Sequence, residues 1–248
     1  MSSKSKRPFR LLVALLAVFV MLAAACGDDS DSSSDTTEGD TETTEEASGG
    51  LEGDLMGVFE LTEGTCDDAG AVSGSYFRMV EAGGTVDAGP FIENADSTCA
   101  ADTGYTPMTP GTDGGLVSGD YQPAPDPAFD DAGNALAEAI TAPATFFGQA
   151  FATATDETDV QSGEAVPAPL ITATDGELSG DVSAMAAYFG GEVFNQGAPK
   201  PGGSEPGPTG TIDPDTGEYV LEWSSVISGG AFDGFTGVWH FEGTFAAS

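Results

Sequence analysis

The chain has 248 residues, with forty-one Asp and Glu against six Lys and Arg, a formal charge of −35 and 40% hydrophobic side chains. So acidic a surface repels phosphate backbones and anionic headgroups, which excludes nucleic acid as a partner and leaves no electrostatic route to a membrane. The charge is also unevenly placed: Lys4, Lys6, Arg7 and Arg10 precede the first acid, and only Arg78 and Lys200 follow.

After that cationic start, Leu11 to Ala25 runs fifteen residues without a polar side chain, short of the ~20 that a permanent membrane span needs. A charged n-region, an apolar h-region and the small residues Ala23, Ala24 and Ala25 before Cys26 mark an export signal. Residues 1–26 resemble the bacterial lipoprotein signal, although Leu22 lies one place further out than in the usual box and Ala23 takes its position. The resemblance implies cleavage after residue 25, a diacylglycerol on the Cys26 thiol and attachment to the lipid bilayer on the extracytoplasmic side. Two or three acyl chains on one cysteine hold stably, where a single chain is marginal.

From Gly27 to Gly50 the chain is Asp, Glu, Ser, Thr and Gly with one apolar side chain, Ala47. Such a segment cannot bury enough surface to offset the entropy of ordering. Residues 26–50 are therefore expected to be a lipidated cysteine and a disordered acidic tether, with a root-mean-square span of roughly 25–30 Å. With Cys26 assigned to lipid, Cys66 and Cys99 remain as a pair. In an oxidising compartment they are expected to form a disulfide, whose 32-residue loop restricts the unfolded chain by roughly 3–4 kcal/mol. Buried free thiols or metal ligands are the alternatives.

Residues 51–248 are read as a single all-β globular domain. They hold 13 Phe, 5 Tyr and 2 Trp, too many aromatics for a disordered chain. Leu51–Leu61 alternates as a half-buried strand, and Gly70–Glu81, Phe146–Thr155 and Leu170–Thr174 are further strands. Asp130 and Asp131 before Ala132–Ile140 suggest a short capped helix ending ahead of Pro143, and Ser183–Phe189 suggests another helical turn or two. Asp175-Gly176 is a two-residue hairpin signal, and Asp213-Pro214-Asp215-Thr216-Gly217 is a turn leading into a strand over Glu218–Ile227.

The last strand places Phe235, Gly237, Trp239, Phe241, Gly243 and Phe245 on one face and Thr236, Val238, His240, Glu242 and Thr244 on the other. The aromatic face is expected to be core, with an aromatic ligand shelf as the alternative. A Ser-Gly phrase recurs after Val72, Val117, Leu178 and Ile227 at uneven spacing, which reads as punctuation at strand ends. Pro and Gly crowd residues 106–128, 163–169 and 198–208 as long surface loops. The fold expected is an antiparallel barrel or sandwich with long Gly/Pro-rich loops and one or two short helices. Ser75-Tyr76-Phe77-Arg78-Met79, Thr112-Asp113-Gly114-Gly115-Leu116, Phe194-Asn195-Gln196-Gly197 and Trp239–Phe245 resemble segments of exported actinobacterial proteins without an assigned activity.

Chemistry is sparse. Past the signal there is one histidine, His240, which alternation sets beside Glu242, and there is neither a nucleophile elbow nor a phosphate loop. Paired carboxylates abound, and sequence alone does not choose two of them at the 5–9.5 Å or so of a glycosidase. Asp126, Asp130, Asp131 and Asn134, and separately Asp213, Asp215 and Glu218, offer oxygen ligands for a structural calcium, against a plain reading as turns and caps. No other cofactor is indicated. The expectation is a non-catalytic ligand-binding or envelope-structural domain, and the alternative is a carboxylate-based hydrolase of envelope or environmental polysaccharide.

Overall fold

A computed structural model describes residues 50–248. The expected signal, Cys26 and nearly all of the expected acidic tether lie outside the described residues. In chain order the strands are β1 (Gly53–Leu55), β2 (Gly57–Leu61), β3 (Thr65–Cys66), β4 (Val72–Ser73), β5 (Tyr76–Thr85), β6 (Gly89–Phe91), β7 (Thr106–Pro107) and β8 (Gly115–Ser118). They continue as β9 (Thr141–Phe146), β10 (Gln149–Thr155), β11 (Leu170–Thr174), β12 (Glu177–Asp181), β13 (Met185–Phe189), β14 (Glu192–Asn195), β15 (Thr209–Ile212), β16 (Glu218–Val226) and β17 (Thr236–Ala247). Two 3-10 turns, Ala101–Thr103 and Gly230–Phe232, are the helical structure among the described residues.

The long strand β17 organises the sheet. One edge pairs with β16 from Thr236 to Thr244, while the other is shared between β5 (Thr236–His240) and β2 (Gly243–Ala247). From β16 the ladder runs through β15, β12 and β11 to β1, which continues into β2 past Met56, so a nearly closed antiparallel barrel results. The β2–β17 seam needs a glycine at 243, where a Cβ would lie 1.8 Å from the Glu60 carbonyl oxygen. Alternation fills the interior: Tyr219, Leu221 and Trp223 of β16 and Trp239, Phe241 and Phe245 of β17 are all buried. Phe59 packs with ring centroids 4.9 Å from both Tyr219 and Phe245. The aromatic face of the last strand is therefore barrel core.

A second sheet, ordered β14-β13-β10-β9, lies against the barrel at β5. Three hairpins close with two residues of positive φ: Phe147-Gly148 (50° and 73°), Asp175-Gly176 (52° and 81°) and Gly190-Gly191 (63° and 80°). This is the geometry that matches strand twist, and Asp175-Gly176 falls where the sequence placed it. The Asp213–Gly217 turn joins β15 to β16 as expected.

Neither expected helix forms. Asp130–Asn134 is a turn, and beyond it the chain runs along the second sheet with Ala135 and Ala137 buried and Leu136 43% exposed, which is a period of two. Asp130 does not cap a helix; its Oδ1 accepts from the Ala132 and Asn134 backbone amides and its Oδ2 from Asn134 Nδ2. Met185–Phe189 is strand β13, covered on both faces, so its side chains read as an unbroken apolar run. The strand expected over Gly70–Glu81 is two, separated at Gly74-Ser75, and that expected over Phe146–Thr155 is the end of β9, a turn and β10. Three of the four Ser-Gly phrases do end strands or turns with a left-handed glycine, at Gly74, Gly119 and Gly229; the fourth, Ser179-Gly180, lies inside β12.

Candidate functional site

The outward face of β17 carries the polar members of its alternation, and cross-strand register sets their partners. His240 stands opposite Tyr76 of β5 and Glu222 of β16; Val238 stands opposite Arg78 and Ser224. The imidazole stacks on the Tyr76 ring at 4.5 Å and 6°. Its Nδ1 lies 2.8 Å from Glu222 Oε1 and its Nε2 3.2 Å from Glu242 Oε2. The Gly74 amide donates to Glu242 Oε1, so that carboxylate is fixed from two sides. Burial, then the neighbouring Tyr105, pushes the Tyr76 phenol up to about 12.

One row along, the Arg78 guanidinium is held between two rings, 3.2 Å from the centroid of Phe91 and 4.3 Å from that of Tyr105. Such contacts contribute ~1–2 kcal/mol each where water is partly excluded. Nη2 donates to the Thr103 carbonyl, whereas Nε is buried without a partner. Burial holds the guanidinium below its ordinary pKa. Arg78 and Tyr76 line a groove of about 320 Å³, together with Glu222, Ser224, Thr209, Asp87 and Pro206-Gly207. The groove thus offers a planar donor, a phenol, two hydroxyls and two carboxylates in one concavity.

The second cation is a tie between loops. Lys200 Nζ donates to Gln161 Oε1 and to the Asn195 carbonyl, both at 2.9 Å, and Gln161 Nε2 donates to the Ser228 carbonyl. Burial draws this amine down to about 8, against smaller opposing pulls from Asp159 and Glu205. Below it, Gln196 is buried at 2% exposure among hydrophobic side chains. Its Oε1 accepts from Trp239 Nε1 at 3.1 Å, its Nε2 donates to the Asn195 carbonyl, and its own carbonyl accepts from Trp223 Nε1 at 2.8 Å. The amide lies directly over Gly237, where a Cβ would sit 1.9 Å from Oε1.

Cys66 and Cys99 lie at disulfide distance, with Cα atoms 5.3 Å apart, joining β3 to the loop that follows Asn94. The acids weighed as calcium ligands serve turns: Asp213 Oδ1 accepts from the Asp215 and Thr216 amides, and Asp130 is engaged as described above. These bonds hold both carboxyls below the ordinary value: at Asp213 chiefly the two amides, at Asp130 chiefly the Asn134 side chain. Asp126, Asp131 and Glu218 do not join them, and among the described residues no group of three or more His, Cys, Asp and Glu is arranged to hold a metal ion.

His240 and Glu242 were legible from alternation. Glu222, Phe91 and Tyr105 were not, because pairing across β16 and the β6–β7 region brings them in from distant sequence; the scarcity of cations was the one signal pointing to Arg78. Comparison of the chain with protein-family models, with curated proteins and with solved structures finds no match.

Proposed function

We propose that the protein is a lipid-anchored, extracytoplasmic domain that binds, without cleaving, a neutral saccharide in the groove over Tyr76 and Arg78. The anchor would be Cys26, since the acidic chain has no electrostatic means of staying at a membrane. A cysteine pair at disulfide distance suits an oxidising compartment. For the ligand, the observation that carries the reading is the Arg78 clamp: a side chain whose guanidinium is immobilised between two rings lines a concavity rich in acceptors.

Hydroxyl groups both donate and accept, so a sugar satisfies Glu222 and Asp87 as well as Arg78. A neutral ligand also avoids the repulsion that a carboxylate or phosphate would meet. For the hydrolase reading, Glu222 and Glu242 are a pair of acids on one face, but His240 stands between them within hydrogen-bond distance of each. An inverting or retaining pair acts on a bond held between its two acids, and here the imidazole lies between them, which favours the binding reading.

The test is calorimetric titration of neutral cell-envelope oligosaccharides into wild type and Arg78→Met. Loss of a charge-assisted donor should weaken binding by about 10–100-fold. Arg78→Lys should weaken it nearly as much, because an ammonium does not reproduce the stacked planar fork. Equal affinity in all three proteins contradicts the assignment.

A further inference from the structure

On the face of β5 opposite the groove, Phe77 and Met79 point to a second concavity between the barrel and the second sheet. Phe146, Phe151 and Phe194 line it from β9, β10 and β14, and Phe232 closes it from the connection between β16 and β17. The space left is about 30 Å³, room for a water or two and nothing larger. Its lining is apolar except for Gln196, whose amide oxygen and nitrogen are already engaged by Trp239 and Asn195.

Four features converge at its mouth. The Phe232 ring lies 5.8–6.3 Å from the rings of Phe147, Phe189, Phe194 and Phe235, so it occupies the place of a guest among aromatic hosts. It is carried on a loop closed at its base by Ile227 N–H to the Phe235 carbonyl and Gly234 N–H to the Ile227 carbonyl. Gly229, Gly230 and Gly234 in that loop all have φ between 67° and 81°, which gives it hinges on both sides of Phe232. Finally, Phe147 at the adjoining hairpin tip has φ 50° and is 57% exposed, the highest exposure of any large apolar side chain among the described residues. That position of the turn favours Asn, Asp or Gly, so an aromatic there is strained and solvated at once.

We infer that this phenylalanine-lined cavity is a second binding site, for a small neutral hydrocarbon group of about the size of an aromatic ring, with Phe232 as the plug that the ligand displaces and Phe147 as the contact at the entrance. The occupant is hydrocarbon because the lining offers no free hydrogen-bonding group. It is neutral because the acidic chain disfavours an anionic headgroup at the mouth. The loop swings on its glycines, the Phe232 ring leaves its four neighbours, and a ligand ring takes the vacated volume.

The experiment titrates 1-N-phenylnaphthylamine, a neutral apolar dye, into the full-length protein and follows its fluorescence. Wild type should enhance the dye, and Phe232→Ala should bind it about tenfold more tightly because the competing plug is gone. Phe147→Asn should fold with equal or higher thermal stability, since Asn suits the turn, yet bind the dye several-fold more weakly. The anionic analogue 8-anilinonaphthalene-1-sulfonate should bind more weakly than the neutral dye to every variant. No enhancement by wild type or Phe232→Ala, unchanged affinity in Phe147→Asn, or preference for the anionic dye each overturns the inference. If circular dichroism shows Phe232→Ala unfolded, the Phe147→Asn comparison decides alone.

Discussion

Replacing Gln196 by Met isolates the polar plug that ties the barrel to the second sheet. The two side chains are close in volume, so neither a cavity nor overpacking enters. Trp239 Nε1 loses its acceptor and is left as a buried donor without a partner, a cost of about 1–3 kcal/mol. The Asn195 carbonyl loses one donor but keeps Lys200 Nζ at 2.9 Å, and the bond from Trp223 Nε1 to the Gln196 backbone is untouched. The expected loss is therefore about 1–3 kcal/mol, or roughly 3–10 °C in Tm for a domain of this size. Urea unfolding followed by tryptophan fluorescence reads it directly, because both tryptophans of the chain meet Gln196. The midpoint should fall with the urea slope unchanged. A loss below about 0.5 kcal/mol would mean that Trp239 does not depend on this amide, and the plug would be refuted.

Two further outcomes follow from the cation tie and the signal. The Lys200 amine is drawn down from 10.5 to about 8, so between those pH values the unfolded chain holds a proton that the folded chain has lost, and stability rises with pH across that window. Solvent access discounts the gain to about 1 kcal/mol. It is best measured between pH 7.5 and 9.5, because the tyrosines Tyr76 and Tyr188, raised to about 12, begin to work the other way above pH 10. Lys200→Met should flatten the rise; a slope unchanged in the variant contradicts the assignment. For the anchor, Cys26→Ser should leave the protein without lipid mass, whereas unchanged acylation together with membrane retention counts against the proposed attachment.

Local chemistry and alternation were readable where one face is wet. The two faces of β17, the Asp175-Gly176 turn and the Asp213–Gly217 turn all follow from residue pattern. Alternation failed where both faces are covered: Met185–Phe189 has no polar side to betray its period, and a continuous apolar run is shared by a buried strand and a helix. It misled at Asp130 because an Asx turn and a helix cap use the same carboxylate-to-amide bonds; Gly133 at φ 83° and the buried Ala135 and Ala137 decided between them. The polar cluster on the outward face of β17 and β5 was only half legible. His240 and Glu242 share a strand, but Glu222, Phe91 and Tyr105 reach Arg78 and His240 through pairings that only the closed sheet defines. Gln196 stood only inside a tetrapeptide quoted for its resemblance, and its role depends on two indoles brought to it by β16 and β17.

Binding without cleavage is tested most directly by one calorimetric run on the purified domain with neutral envelope oligosaccharides, the sugars being weighed by mass spectrometry before and after. The expected result is a binding heat that disappears in Arg78→Met while every chain keeps its full length. Shortened chains in wild type, restored to full length in Glu222→Gln or Glu242→Gln, would contradict it and make the protein a hydrolase.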